Sequence, residues 1–312
     1  MPLPFIFLYY FSLGLRIMLQ QQIALLKKGN YKALARVISL VENEVEGYEQ
    51  LLSELPLPPV PVIGITGPPG AGKSTITDAL IQEITEAGKT VGVLCVDPSS
   101  PFNYGALLGD RIRMSQWYTH PSVFIRSLAT RGSLGGLHPM IIEITDLMKA
   151  ANFDYIIVET VGVGQSEVEI AGLADATIVV VVPEAGDEIQ TMKAGLMEIA
   201  DIFVVNKADR PNADTFIKNL RMMWAPAFKS HEAIDILKTV ATEKKGIAEL
   251  FASVRKKIHQ VHISDKKYFL LAEKAYYLIQ KRRMKDVNKQ QLFDEIKRNA
   301  VTNLYAFLSN KK

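Results

Sequence analysis

The stretch that most limits what this chain can fold into is VPVIGITGPPGAGKSTITDAL, residues 60–80. An apolar run suited to a buried strand meets a loop of glycine and proline, and that loop opens into residues suited to a helix. Within it, Gly67, Gly72, Lys73 and Ser74 match the pattern Gly-x4-Gly-Lys-Ser/Thr in the context that the pattern requires. Small residues such as Gly70 and Ala71 let consecutive backbone N–H groups converge on phosphate oxygens, and the helix N-terminus adds its partial positive charge. Lys73 is expected to reach the outer phosphates and the Ser74 hydroxyl to ligate Mg²⁺, with Thr75 completing the phosphate-binding set.

A strand of this kind needs neighbours. Apolar strand candidates recur at 62–66, 90–96, 123–126, 155–159, 177–183, 202–206 and 236–240, with helix-like segments between most of them. That alternation predicts an α/β fold, a mainly parallel sheet covered by helices on both faces. The 312 residues suffice for one such domain with helical additions. The expected division is an apolar extension at 1–17, a helical segment at 18–54 and a proline-rich linker at 55–61. A nucleotide-binding domain at 62–262 and C-terminal helices at 263–312 follow. The N-terminal helical periodicity predicts one or two helices over 19–53, and the C-terminal part predicts two, over 265–283 and 287–308.

Residues 1–17 are apolar but short of the roughly 20 residues of a spanning helix. The expectation is an upstream extension before a start at Met18, or an extra helix on the domain, without membrane attachment. Net charge is only +3, which gives no sign of a nucleic-acid partner. The last sixty residues hold 15 Lys and Arg against 5 Asp and Glu, either solvated helix faces or a docking face for an acidic partner. A single cysteine, Cys95 within a strand candidate, excludes an internal disulfide and fits a cytoplasmic protein. His259 and His262 stand three apart with no carboxylate or cysteine to complete a metal site.

The later motifs choose the ligand. Asn206, Lys207 and Asp209 form Asn-Lys-x-Asp at the end of a buried strand. Asp209 can accept two hydrogen bonds from the guanine N1–H and 2-amino groups, a donor pair that adenine lacks. Lys207 can lay its stem over the ring, and Asn206 can bond the ring's N7 while bracing the phosphate loop. The predicted ligand is therefore GTP or GDP. At 154–167, DYIIVETVGVGQSE ends a strand in Glu159, a carboxylate placed to face Mg²⁺ directly or through water. Gly162 can offer its N–H to the terminal phosphate. Two roles stay open for Gln165: orienting the attacking water, or an ordinary loop or cap residue. Asp97, at a strand's carboxyl end, and Asp110, thirteen residues on, are equally open between cap or turn residues and Mg²⁺ ligands.

Taken with VDPSSPF, LGDRIRM, FIRSLATRGSLGG and PEAGDEIQTMKAG, these motifs resemble the MeaB/ArgK family of P-loop GTPases associated with methylmalonyl-CoA mutase, over about residues 22–262. The resemblance implies a slow GTPase that acts as a chaperone of an adenosylcobalamin-dependent acyl-CoA mutase, gating cofactor loading and protecting or reactivating the enzyme. It implies that Asp97, Asp110 and Glu159 form the acidic Mg²⁺ side and groups Lys73, Asp110, Glu159 and Gln165 as catalytic. It also implies a mutase-coupled switch through Asp187, Glu188, Gln190 and Lys193, and dimerisation through the C-terminal helices. Val240-Ala241 stands where the family carries Ser-Ala, which leaves the Ala241 N–H for the guanine oxygen. The rival readings are a kinase of a lysine/arginine/ornithine transport system and a nickel- or cobalt-type metallochaperone GTPase. The guanine motif speaks against the first and the scarcity of Cys and His against the second.

Overall fold

A computed structural model describes residues 20–97, 114–130, 137–162, 166–184, 199–227, 234–262 and 266–309. The chain divides into two compact units, Met1–Lys267 and Tyr268–Lys312.

The first unit holds a seven-stranded sheet of β1 (Val62–Thr66), β2 (Val91–Asp97), β3 (Val123–Ala129), β4 (Tyr155–Glu159), β5 (Ala176–Val181), β6 (Ile202–Val205) and β7 (Asp235–Lys238). Its order is β3-β2-β4-β1-β5-β6-β7 and every neighbouring pair is parallel. The continuous apolar runs of β1, β2 and β5 are buried along their whole length, as strands covered on both faces require. Alternate residues serve opposite faces. Ile156 and Val158 pack in one core with α1 (Tyr31–Glu42), α4 (Ile141–Ala150) and α5 (Ser166–Leu173). Ile157 packs in another with α3 (Lys73–Glu86) and α7 (Ile247–His262). A smaller core lies under α6 (Ala213–Ala227), around Phe203 and Leu220.

The sequence predicts one or two helices over 19–53; helical residues are found at 20–26, in α1 and in a short α2 (Tyr48–Ser53). Gly29 (φ 73°) turns the chain before α1, and the Asn30 side chain caps it by accepting from the Ala33 N–H at 3.0 Å. Glu44 and Gly47, both at positive φ, separate α1 from α2. Leu34, Val37, Ile38 and Val41 are fully buried in the same core as Leu94 and Val158. A half-buried polar tie adds direction to this packing: Arg126 of β3 donates to Glu42 at 2.9 Å and to Ser39 Oγ at 3.2 Å.

The second unit takes in most of α8 (Lys266–Arg283), with α9 (Lys289–Arg298) and α10 (Leu304–Ser309). The predicted single helix over 287–308 is interrupted at 299–303, where Ala300 adopts a φ of 44°. Tyr268, Leu271, Tyr276, Phe293 and Tyr305 are exposed, and neither α9 nor α10 has a buried residue among those described. No helix among the described residues is long and apolar enough to cross a membrane.

Asp154 fastens the start of β2 to that of β4. Its carboxylate accepts from the Thr90 N–H (2.8 Å), the Thr90 hydroxyl (2.9 Å) and Lys89 (3.0 Å). Partial burial pushes its pKa up, but the bonds from Thr90 and Lys89 outweigh that and hold it below the ordinary value. A depressed folded-state pKa stabilises the fold above the unfolded value, and that contribution is lost as pH falls through the folded one. Asp154→Asn is therefore expected to lower stability by about 1 kcal/mol at neutral pH, with the deficit shrinking below about pH 4. Urea unfolding of both proteins between pH 7 and 3 checks this.

Candidate functional site

The phosphate loop leaves β1 at Thr66 and enters α3 at Lys73. Gly67 (φ 139°) passes so close to β5 that a Cβ there would lie 2.0 Å from the Val180 carbonyl oxygen. Gly72 takes a left-handed conformation and its carbonyl accepts the first helical bond, from Ile76 N–H at 3.0 Å. Lys73 is buried, and its ammonium curls back over the loop to donate to Gly67 O (2.9 Å) and Pro68 O (3.2 Å). The cation thus lies across the loop whose N–H groups would bind phosphate.

β4 runs beside β1 with Glu159 in register with Ile65. This brings the Glu159 carboxylate over the first turn of α3, where Ser74 donates to Oε1 at 2.7 Å and Thr77 to Oε2 at 2.7 Å. Glu159 is only 3% exposed, so its charge depends on such donors. Asp97, also buried, ends β2 on the far side of β4, two residues past the Cys95–Glu159 register pair. Beyond β4, Gly162 (φ 84°) crosses directly above the loop: a Cβ there would lie 2.3 Å from both Lys73 Nζ and Gly67 O. The two glycine-bearing segments are stitched together lower down, where Thr160 donates to Thr66 Oγ1 at 2.9 Å.

The second half of the site hangs from β6. Asn206 is buried and does not point outward. Its Nδ2 donates to Ala71 O at 2.9 Å, and its Oδ1 accepts from the Thr239 hydroxyl (3.1 Å) and the Ala241 N–H (3.2 Å). One side chain therefore links the phosphate loop, the Asn-Lys-x-Asp turn and the loop after β7. The Ala241 N–H, expected to be available for a guanine oxygen, bonds Asn206 at the long end of the range, so a ligand would compete for it. Lys207 sits at φ 55°, an unusual conformation for a residue with a side chain, and its ammonium donates to Gly70 O at 2.8 Å. Its stem thus spans the space between turn and loop. Asp209 is exposed on the same turn. Its charge adds to the effect of Glu243, whose hydrogen bond is the main cause of the raised Lys245 pKa.

The structure brings Gly67, Gly70, Ala71, Gly72, Lys73, Ser74, Thr75, Glu159 and Gly162 to the carboxyl ends of β1 and β4. Asn206, Lys207, Asp209 and Ala241 are tied to that group through Asn206 on Ala71 O and Lys207 on Gly70 O. Asp110, Gln165, Asp187, Glu188, Gln190 and Lys193 lie outside the described residues. Sequence reasoning missed Thr77, Thr239 and the ion pair of Arg210 with Glu184. Thr77 had a signal, since it stands three residues after Ser74 and so shares its helix face; Thr239 and the ion pair had none. Arg210 holds the Glu184 pKa below its ordinary value, chiefly through its hydrogen bond.

A phosphate loop crossed by a glycine from the neighbouring strand, and braced to an Asn-Lys-x-Asp turn two strands away on the other side, defines the class: a P-loop nucleoside triphosphatase equipped for guanine. Residues 34–299 match the family described as methylmalonyl Co-A mutase-associated GTPase MeaB, and the chain belongs to that family. A Pyrococcus abyssi protein, named only as a candidate GTPase, is 43% identical over 294 residues, covering 90% of this chain and 83% of its own. The GTPase ArgK of Escherichia coli is 37% identical over 248 residues, covering 76% and 75%. Among solved structures, one described as a LAO/AO transport system kinase superposes with a TM-score of 0.64 at 27% identity, covering 94% of this chain and 96% of that one.

Gly162 offers a direct test of this geometry. Gly162→Ala must displace either Lys73 or the loop carbonyl, and a misplacement near 1 Å costs about 100-fold in turnover. GTP hydrolysis should fall by that order while circular dichroism stays unchanged.

Proposed function

We propose that this protein binds and hydrolyses GTP as a chaperone of an adenosylcobalamin-dependent acyl-CoA mutase of the methylmalonyl-CoA mutase type. The observation that carries the GTPase part is the Glu159–Ser74 contact beside the buried Lys73, with Asn206 joining that phosphate half to the base half. Membership in a family described as mutase-associated supports the client.

In this reading Lys73 and the loop N–H groups, with Thr75, hold the β- and γ-phosphates, and Gly162 presents its N–H to the terminal one. Lys207 flanks the base, Asp209 reads its donor edge, and Asn206 fixes the distance between the halves. The donors near Ser74 are all oxygen, the set that Mg²⁺ prefers. Ser74, Glu159 and Asp97 would hold the ion, together with Asp110. When bound, Mg²⁺ neutralises charge on the phosphate oxygens. Ser74 donates a hydrogen bond to Glu159, which leaves the lone pairs of its oxygen as the groups that would ligate a cation. Gln165 orients the attacking water, and Asp187, Glu188, Gln190 and Lys193 pass the nucleotide state to the mutase. The exposed apolar side chains of α8, α9 and α10 support a homodimer through those helices, and the protein acts in the cytoplasm. A transport-system kinase, the description of the solved relative, fits less well, because the Asn-Lys-x-Asp turn disfavours the ATP such a kinase ordinarily uses.

Lys73→Ala is expected to abolish GTP turnover. Asp209→Asn should shift preference from GTP toward XTP, because an amide donates where the carboxylate accepted; unchanged selectivity would refute the base assignment. Turnover with a purified adenosylcobalamin-dependent acyl-CoA mutase from the same cell should rise well above the basal rate. A rate indifferent to every such mutase would remove the client and leave the GTPase.

A further inference from the structure

Thr77 lies outside the phosphate-loop pattern, yet it makes one of the shortest contacts in the site. It is fully buried on α3, one turn after Ser74. A threonine inside a helix ordinarily bonds backward to a carbonyl of its own helix. Thr85 does so, at 2.9 Å to Ile81 O, and Thr145 does so, at 2.7 Å to Ile141 O. Thr77 has the same option in Lys73 O, but at 3.1 Å, while Glu159 Oε2 lies at 2.7 Å. A hydroxyl has one proton for these two acceptors. If it went to Lys73 O, oxygen lone pairs would face a buried carboxylate; given to Glu159, it makes a charge-assisted bond at the length such bonds adopt.

We propose that Thr77 is a positioning residue for the metal side of the nucleotide site: it pins Oε2 of Glu159, so that Oε1 stays on the Ser74 hydroxyl and Ser74 keeps its lone pairs toward the cation. The carboxylate is then held at both oxygens from one face of one helix, by hydroxyls three residues apart. Without Thr77, Oε2 of Glu159 loses this donor, and the acceptor that orients the Ser74 hydroxyl is held less firmly. This inference rests on the nucleotide and Mg²⁺ reading above and adds a residue that the motifs do not include.

The test uses the full chain and a fluorescent GDP analogue, with release rates measured in EDTA and across a Mg²⁺ titration. Thr77→Val removes the hydroxyl at nearly constant volume. It should release GDP in EDTA within about two-fold of the unsubstituted protein, yet need at least roughly ten-fold more Mg²⁺ for half-maximal slowing of release, the scale of one hydrogen bond to a charged group. Thr77→Ser, which restores the hydroxyl, should return the titration to within about two-fold of the original. A Thr77→Val titration that overlays the original overturns the proposal. So does an equal loss of affinity with and without Mg²⁺, which marks a packing defect, and so does a Thr77→Ser variant as impaired as Thr77→Val. If the valine variant fails to melt cooperatively, Thr77→Ala is judged by the same criteria. Absence of Mg²⁺-sensitive GDP release from the unsubstituted protein would sink the nucleotide-site reading itself, and is thereby separated from failure at Thr77 alone.

Discussion

The placement of β1 between β4 and β5 is the constraint on which the site depends. Parallel neighbours in register bring their carboxyl ends to one rim of the sheet, where Glu159 stands beside Ile65 and Val179 beside Thr66. The phosphate loop has to emerge there, and the carboxylate has to meet the first turn of α3. Burial on both faces makes this register hard to alter. A slip of one residue would turn Ile156 and Val158 into the core that Ile157 occupies and swing Glu159 away from Ser74.

The crossovers then explain why the ligand groups are far apart in sequence. β2 skips past the position beside β1 and leaves it to β4, while β5 and β6 extend the sheet on the other side. A crevice at such a reversal in strand order is where open α/β sheets bind ligands. Residues 67–74 and 159–162 border it on one side and 206–209 on the other. Among the described residues, α1 and α2 contribute no group to this rim; they fill the apolar face of β2 and β4, and Arg126 secures α1 to β3.

Much of this was legible in the sequence because the signals were local. All seven strands lie within a few residues of the expected runs, since stretches such as IVVVV admit few other uses. The break at 299–303 was not legible, because Ala300 takes positive φ without being glycine or asparagine. Strand order cannot be read from a single strand's pattern, so the closeness of Glu159 to Ser74 rested on its place at a strand's end and on the resemblance until the sheet was in view. Asn206 was expected both to contact the base and to brace the loop. The structure shows the brace in full, with its Oδ1 already bonded by Thr239 and Ala241, partners whose positions in sequence gave no hint of it.

That brace is made wholly of neutral groups: an amide, a hydroxyl, a backbone N–H and a carbonyl. Screening by dissolved ions and proton uptake near neutrality act on charges, and none of these groups has one to offer. The pair of Arg210 and Glu184, about half exposed beside the same turn, is of the opposite kind and weakens as ionic strength rises. Asn206 thus ties the base and phosphate halves through parts indifferent to the composition of the surrounding solution, while the charged Lys207, which also reaches the loop at Gly70 O, and the adjoining surface remain free to respond to it.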